Sequence, residues 1–142
     1  MQARYGLSPF APKLPFVPGY AIVGVVDAAG PGVIQAAPGA RVAAYLVVGG
    51  YAEYVYLREN QIIPVPPTLN PAEAVPLVLN YLTAYQVLHR SAKVKADDKV
   101  LIIGASGGIG TALLDLGRLA NLTMYGIASK SKHAILVEYG AT

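Results

Sequence analysis

The sequence predicts an α/β fold, on three observations. The first half runs in short β-branched and apolar stretches separated by Gly and Pro turn signals. At Asn70 the pattern changes to a helical period, and from Val100 onward an apolar strand, a glycine loop, a helix, a second strand and a second helix follow in order. Strand, helix, strand, helix in that succession predicts a parallel sheet, because parallel neighbours need a crossover. With 54% hydrophobic and 13% charged residues, the composition opposes disorder and fits strands covered on both faces. The 142 residues suffice for one ordinary domain or for two partial ones.

The first strand is YAIVGVVDA, Tyr20 to Ala28, closed by the turn signal AGPG. Pro38-Gly39 turns the chain into a second strand, ARVAAYLV, and Gly49-Gly50 separates it from YAEYVYLRE. There Tyr51, Glu53, Val55 and Leu57 alternate with Ala52, Tyr54, Tyr56 and Arg58, which reads as a third strand with the tyrosines packed on the sheet. Gln61 to Leu69 contains Pro64, Pro66 and Pro67 and is expected to be an extended connector without regular structure. Asn70 is placed to cap a helix with Pro71 at its first position and Glu73 at its third. Pro76 is expected to kink or interrupt that helix unless it lies in its first turn or two, with a second helical stretch over 80–89. A Lys-rich polar segment then leads to a strand over Val100 to Ile103, a glycine loop, a helix over Ile109 to Ala120, a strand over Thr123 to Ala128 and a helix over His133 to Tyr139.

Several function classes are disfavoured. The longest stretch poor in charge, Val100 to Leu114, is interrupted by glycines and too short for a bilayer, which needs about 20 apolar residues. Pro9, Pro12, Pro15 and Pro18 stand where a signal peptide would need an unbroken apolar helix, so no leader is expected and a cytoplasmic location is. A net charge of +3, scattered along the chain, is too weak a footprint for nucleic acid. The absence of cysteine removes disulfides, thiolate metal sites and a Cys nucleophile. Redox chemistry would need a borrowed cofactor.

The most informative segment is VLIIGASGGIGTALLDLGRLA, with glycines at 104, 107, 108 and 110 between a buried strand and a helix. Bare backbone there allows a tight turn, close approach of a pyrophosphate and near contact of helix with strand, while the helix N-terminus offers free N–H groups to an anion. A ligand-free turn uses the same residues, but the strand-loop-helix setting favours a dinucleotide. No Lys follows Gly110, so the loop is not a nucleoside-triphosphate loop. After the second strand an acidic residue would hold the ribose hydroxyls of NAD, whereas this chain has Ala128-Ser129-Lys130-Ser131-Lys132. Hydroxyls and ammonium groups suit a 2′-phosphate, so the expected cofactor is NADPH; a solvated turn is the other reading of the same lysines.

Together the blocks PFVPGYAIVGVVDAAGPGV at 15–33, GGYAEYVYL at 49–57, IPVPPTLNPAEAVPLVLNYLTAYQVL at 63–88 and GASGGIG at 104–110 resemble the medium-chain dehydrogenase/reductases, and within them the zinc-free quinone oxidoreductase branch. The resemblance implies a partial GroES-like β domain over 1–78, followed by the first βαβα portion of a Rossmann NADP-binding domain over 79–142. It implies hydride transfer from NADPH to a small-molecule quinone or α,β-unsaturated carbonyl, without zinc. It further implies cofactor contacts at Ser106, Gly107, Gly108, Ile109 and Gly110, 2′-phosphate contacts at Ser129 and Lys130, and Thr83 near the cofactor with Asn80 beside it. Thr83 fits an ordinary helix position equally well.

Zinc-dependent relatives carry a His-Glu pair after the PG motif, where this chain has Tyr20-Ala21, so no metal is expected. Family chains are more than twice as long. The shortened sheet is expected to leave an open strand edge, and hence to favour a homo-oligomer and weak or absent turnover. A truncated, non-catalytic nucleotide-binding or oligomerising module is the alternative, and no catalytic residue is assigned. A short-chain dehydrogenase is disfavoured, since none of the ten tyrosines has Lys four residues later. His89 and His133 read as surface or satisfied helix positions.

Overall fold

The computed structural model describes residues 13–142, so Pro9 and Pro12, two of the four prolines that speak against a leader, lie outside the described residues. Two compact units divide the chain, Met1–Val78 and Leu79–Thr142.

In the first unit, β1 (Ala21–Val25), β2 (Arg41–Tyr45) and β3 (Ile63–Pro64) form an antiparallel sheet in the order β1-β2-β3. Ala21 stands opposite Tyr45, and Val42 opposite Pro64. The turn into β2 needs Gly39, whose φ is +86°, and is closed by its N–H donating to the Val26 carbonyl at 2.8 Å. Two expectations are corrected here. The proline connector does join the sheet, because Pro64 lies on an edge strand where its missing N–H costs no ladder bond. Val65 N–H instead donates to Arg41 O at 3.0 Å, and the Arg41 guanidinium ties Pro67 and Leu69 carbonyls at 3.0 and 2.9 Å.

Tyr51 to Arg58 forms no strand, and Tyr51, Tyr54 and Tyr56 are 79%, 71% and 100% exposed rather than packed. Alternation orients side chains, but a ladder needs a neighbouring backbone, and none among the described residues pairs with this segment. It is held at its ends instead. Tyr51 N–H donates to Pro18 O at 2.9 Å, and just past Arg58 the Glu59 carboxylate accepts from the Ile34 N–H at 2.7 Å and from the Gln35 N–H. Those backbone bonds, Gln35 first and then Ile34, hold the Glu59 carboxyl below the ordinary glutamate range, against a smaller upward push from desolvation. The unit's small core is Ala43, Val65, Ala74 and Val78, with Ala21, Val23 and Leu69 against it.

Asn70 caps α1 (Pro71–Pro76), its side chain accepting from Ala72 N–H at 2.9 Å. The α-helix is interrupted at Pro76 as expected, but the helical winding continues past it. The proline removes an i→i−4 donor and crowds the carbonyl of Ala72, and the chain widens into i→i+5 turns over Leu77–Tyr81. After α2 (Leu82–Tyr85) the winding widens again over Gln86–Ala92, where Lys93 ends it in the left-handed region at φ +53°.

The second unit holds β4 (Lys99–Ile103), α3 (Gly108–Leu119), β5 (Thr123–Ile127), a single 3₁₀ turn (Lys130–Lys132) and α4 (His133–Glu138). β4 and β5 pair in parallel, Lys99 with Thr123 through Ile103 with Ile127. Ile102, Ala105, Leu114, Met124 and Leu136 make the core, so α3 and α4 both cover the face carrying Ile102 and Met124. Gly117 allows α3 to approach β5 closely, since a side chain there would collide with Met124. The opposite face is not covered as the composition led us to expect: Leu101 is 61%, Ile103 82% and Ile127 51% exposed. High apolar content measures what could be buried and says nothing of which neighbour buries it. No described helix is long and apolar enough to cross a membrane.

Candidate functional site

The site begins where β4 ends. Gly104 adopts φ +77°, a conformation that favours glycine, and turns the chain out of the strand. The amides of Gly104 and Ala105 both donate to Ile127 O at 3.1 Å, so the carbonyl at the end of β5 fixes the start of the loop. Gly107 N–H returns to Gly104 O at 3.0 Å, and Gly107 then serves as N-cap of α3 with no side-chain cap. Thr111 closes the first turn, its N–H at 2.9 Å and its hydroxyl at 3.2 Å from Gly107 O.

Glycine is needed at particular points. A Cβ on Gly110 would stand 2.6 Å from the carbonyl oxygens of both Gly104 and Ala105, and one on Gly108 would stand 2.7 Å from Asn80 Nδ2. Gly110 thus lets the helix sit on its own loop, and Gly108 leaves room for the Asn80 amide. Among the described residues no protein acceptor meets the amides of Gly108, Ile109 and Gly110. Free first-turn amides carry the positive end of the helix dipole, the arrangement that attracts an anion.

A cleft of about 510 Å³ opens here, lined by Asn80, Ile102, Ile103, Gly104, Gly107, Gly108, Ile109, Gly110 and Leu113. Of the residues singled out from the sequence, Asn80, Gly107, Gly108, Ile109 and Gly110 therefore share one cavity. Asn80 is half-buried, with its amide nitrogen beside Gly108. Ser106 is exposed in the loop just before the N-cap. Thr83 is half-buried in α2 and does not line the cleft. Ser129 and Lys130 are exposed directly after β5 and do not line it either. The parallel register nevertheless brings them to the same sheet end as the loop, two and three residues past the Ile127 carbonyl that holds Gly104. Lys132 N–H donates to Ser129 O at 2.8 Å, which closes that turn.

Sequence reading missed the apolar walls, Ile102, Ile103 and Leu113. Their only signal was membership of apolar runs, which equally describes a core. Also missed was Tyr81, beside Asn80, whose hydroxyl donates to Asp115 Oδ2 at 3.1 Å while Asp115 Oδ1 pairs with Arg118 at 3.0 Å. Burial, reinforced by the hydrogen bond and charge of Asp115, pushes the Tyr81 phenol above its ordinary pKa. His89 is exposed with its ring 4.5 Å from that of Tyr85, and His133 Nε2 lies 3.2 Å from Ala128 O; neither lines the cleft.

Comparison with known proteins agrees with this architecture. Residues 1–67 match the alcohol dehydrogenase GroES-like domain family. The chain is 36% identical to quinone oxidoreductase of Mus musculus over 135 residues, covering 94% of this chain and 41% of that protein. It is 38% identical to the synaptic vesicle membrane protein VAT-1 homolog of Rattus norvegicus over 143 residues, covering 100% of this chain and 35% of that protein. The quinone oxidoreductase from Thermus thermophilus, whose structures include a complex with NADPH, superposes with TM-score 0.84 at 31% identity, covering 99% of this chain and 44% of that one. The chain thus spans less than half the length of each of these relatives. A partial GroES-like β domain followed by the opening βαβα of a Rossmann fold, in matching order and at this identity, is what this chain shares with the medium-chain dehydrogenase/reductases it is similar to, quinone oxidoreductases among them.

Proposed function

We propose that the loop from Gly104 to Gly110 and the first turn of α3 hold the diphosphate of NADPH, and that the chain serves a zinc-independent oxidoreductase acting on quinones or α,β-unsaturated carbonyls. One observation carries the reading: three consecutive amides at the start of a 12-residue helix, without a protein acceptor among the described residues, stand beside a cleft that the Asn80 amide also lines. A diphosphate would accept from those amides where no Cβ blocks its approach. In this proposal Ser106 adds a hydroxyl at the loop, Asn80 and Thr83 flank the cofactor, and Ser129 and Lys130 meet the 2′-phosphate. The absence of a carboxylate between Ala128 and Lys132 favours NADPH over NADH. When bound, the cofactor supplies the hydride, and the chain's own residues bind, orient and exclude water. Relatives named as quinone oxidoreductases, one of them with an NADPH complex, support the substrate class and cofactor. A cytoplasmic location belongs to the same proposal; one relative is named for a vesicle membrane, and cell fractionation separates the two.

A second reading is a non-catalytic module that binds nucleotide and associates with itself. The exposed sheet face of Leu101, Ile103 and Ile127 favours it, since open apolar strands invite a partner. Thermal shift with NADPH and NADPH oxidation with a simple quinone decide the matter. Binding with oxidation supports the enzyme, binding without oxidation supports the module, and no binding overturns both.

A further inference from the structure

Asn80 and Tyr81 are adjacent on one helical turn, yet they reach α3 at two different levels. Asn80 Nδ2 occupies the space a Cβ on Gly108 would need, in the first turn of α3. Tyr81 reaches Asp115, seven residues further along, or roughly 10 Å of helix axis. The Tyr81 ring is half-buried and its hydroxyl ends on a carboxylate already fixed on its other oxygen by Arg118. Asn80 makes no comparable side-chain hydrogen bond among the described residues; its amide lines the cleft instead. The turn that carries both residues, Leu77–Tyr81, is an i→i+5 turn, wider than an α-turn.

Resting on the cofactor reading above, we infer that Tyr81 is a positioning residue. Its hydrogen bond to Asp115 sets the rotation of the helical turn so that the Asn80 amide is presented to the cleft beside Gly108. Tyr81 itself does not line the cleft. Its effect on ligand binding runs wholly through Asn80, which separates it from a general stabiliser of the fold.

The test is a double-mutant cycle read by calorimetric titration of NADPH. Tyr81→Phe is expected to weaken NADPH about five-fold, the scale of one hydrogen bond's net contribution. In an Asn80→Ala background the same change is expected to add no further loss, because the residue it positions is gone. Asp115→Asn keeps an oxygen acceptor for the tyrosine and should restore most of the affinity that Asp115→Ala removes. An equal loss from Tyr81→Phe in both backgrounds, or no loss in either, overturns the inference. A readout without ligand keeps it distinguishable from the cofactor reading: the side-chain amide resonances of Asn80 should shift and broaden in Tyr81→Phe. If NADPH fails to bind the unmodified protein, the cofactor reading falls, and those resonances alone decide the positioning role. Unchanged Asn80 signals would reject it.

Discussion

At the residue scale, the loop is defined by side chains that are missing and by two that follow β5. Lys130 is the residue by which NADPH and NADH should be told apart. Lys130→Glu places a carboxylate where the ribose hydroxyls of NADH could use it and a 2′-phosphate could not. It should weaken NADPH at least ten-fold while changing NADH little, as read by titration with each; equal losses would remove Lys130 from 2′-phosphate recognition. Glu59 makes a prediction of a different kind. Its carboxylate accepts two backbone N–H groups, which lowers its pKa in the folded chain. A group with a depressed folded pKa contributes above its unfolded value, and the contribution fades as pH falls through the folded value. Protection of the Ile34 and Gln35 amides against exchange, relative to their intrinsic rates at each pH, should therefore fall as pH drops below the ordinary glutamate range, and should be lost at neutral pH in Glu59→Ala. Exchange independent of pH, beyond its intrinsic chemistry, would contradict this.

At the scale of elements, β4, α3, β5 and α4 were legible because each carries a local signal that tertiary context did not oppose. The β-branched run KVLIIG and the glycines ahead of α3 agree on one arrangement. Leu114 shows why that arrangement holds, being fully buried between α3 and the sheet with Ile102 and Met124. Leu114→Ala should cost the second unit about 2–5 kcal/mol in denaturant unfolding; a loss under about 0.5 kcal/mol would mean the core lies elsewhere. Where sequence reading failed, the missing information was a neighbour. The alternation over Tyr51 to Arg58 has the period of a strand, but no described backbone pairs with it, and its tyrosines face solvent. Pro76 does interrupt the α-helix, but its local cost does not show that the winding goes on past it by widening the following turn. Likewise, the glycine residues of the cleft could be named from the sequence. The apolar walls and Tyr81 could not, since only the fold brings Ile102, Ile103 and Leu113 to one cavity and Tyr81 to Asp115.

At the scale of the whole molecule, the second unit offers an anion site at one sheet end and a bare apolar face across the strands. The first feature suits a dinucleotide and the second suits a covering partner, and the two are compatible in one protein. The cofactor proposal requires that the loop engage the diphosphate through its backbone amides. The most direct measurement is a titration of NADPH followed by backbone amide resonances. Signals of Gly108, Ile109 and Gly110 should move together and saturate, with Ser129 and Lys130 moving for NADPH and far less for NADH. If those three amides stay unmoved while NADPH is raised to millimolar concentration, the loop is a structural turn and the proposed cofactor site does not exist.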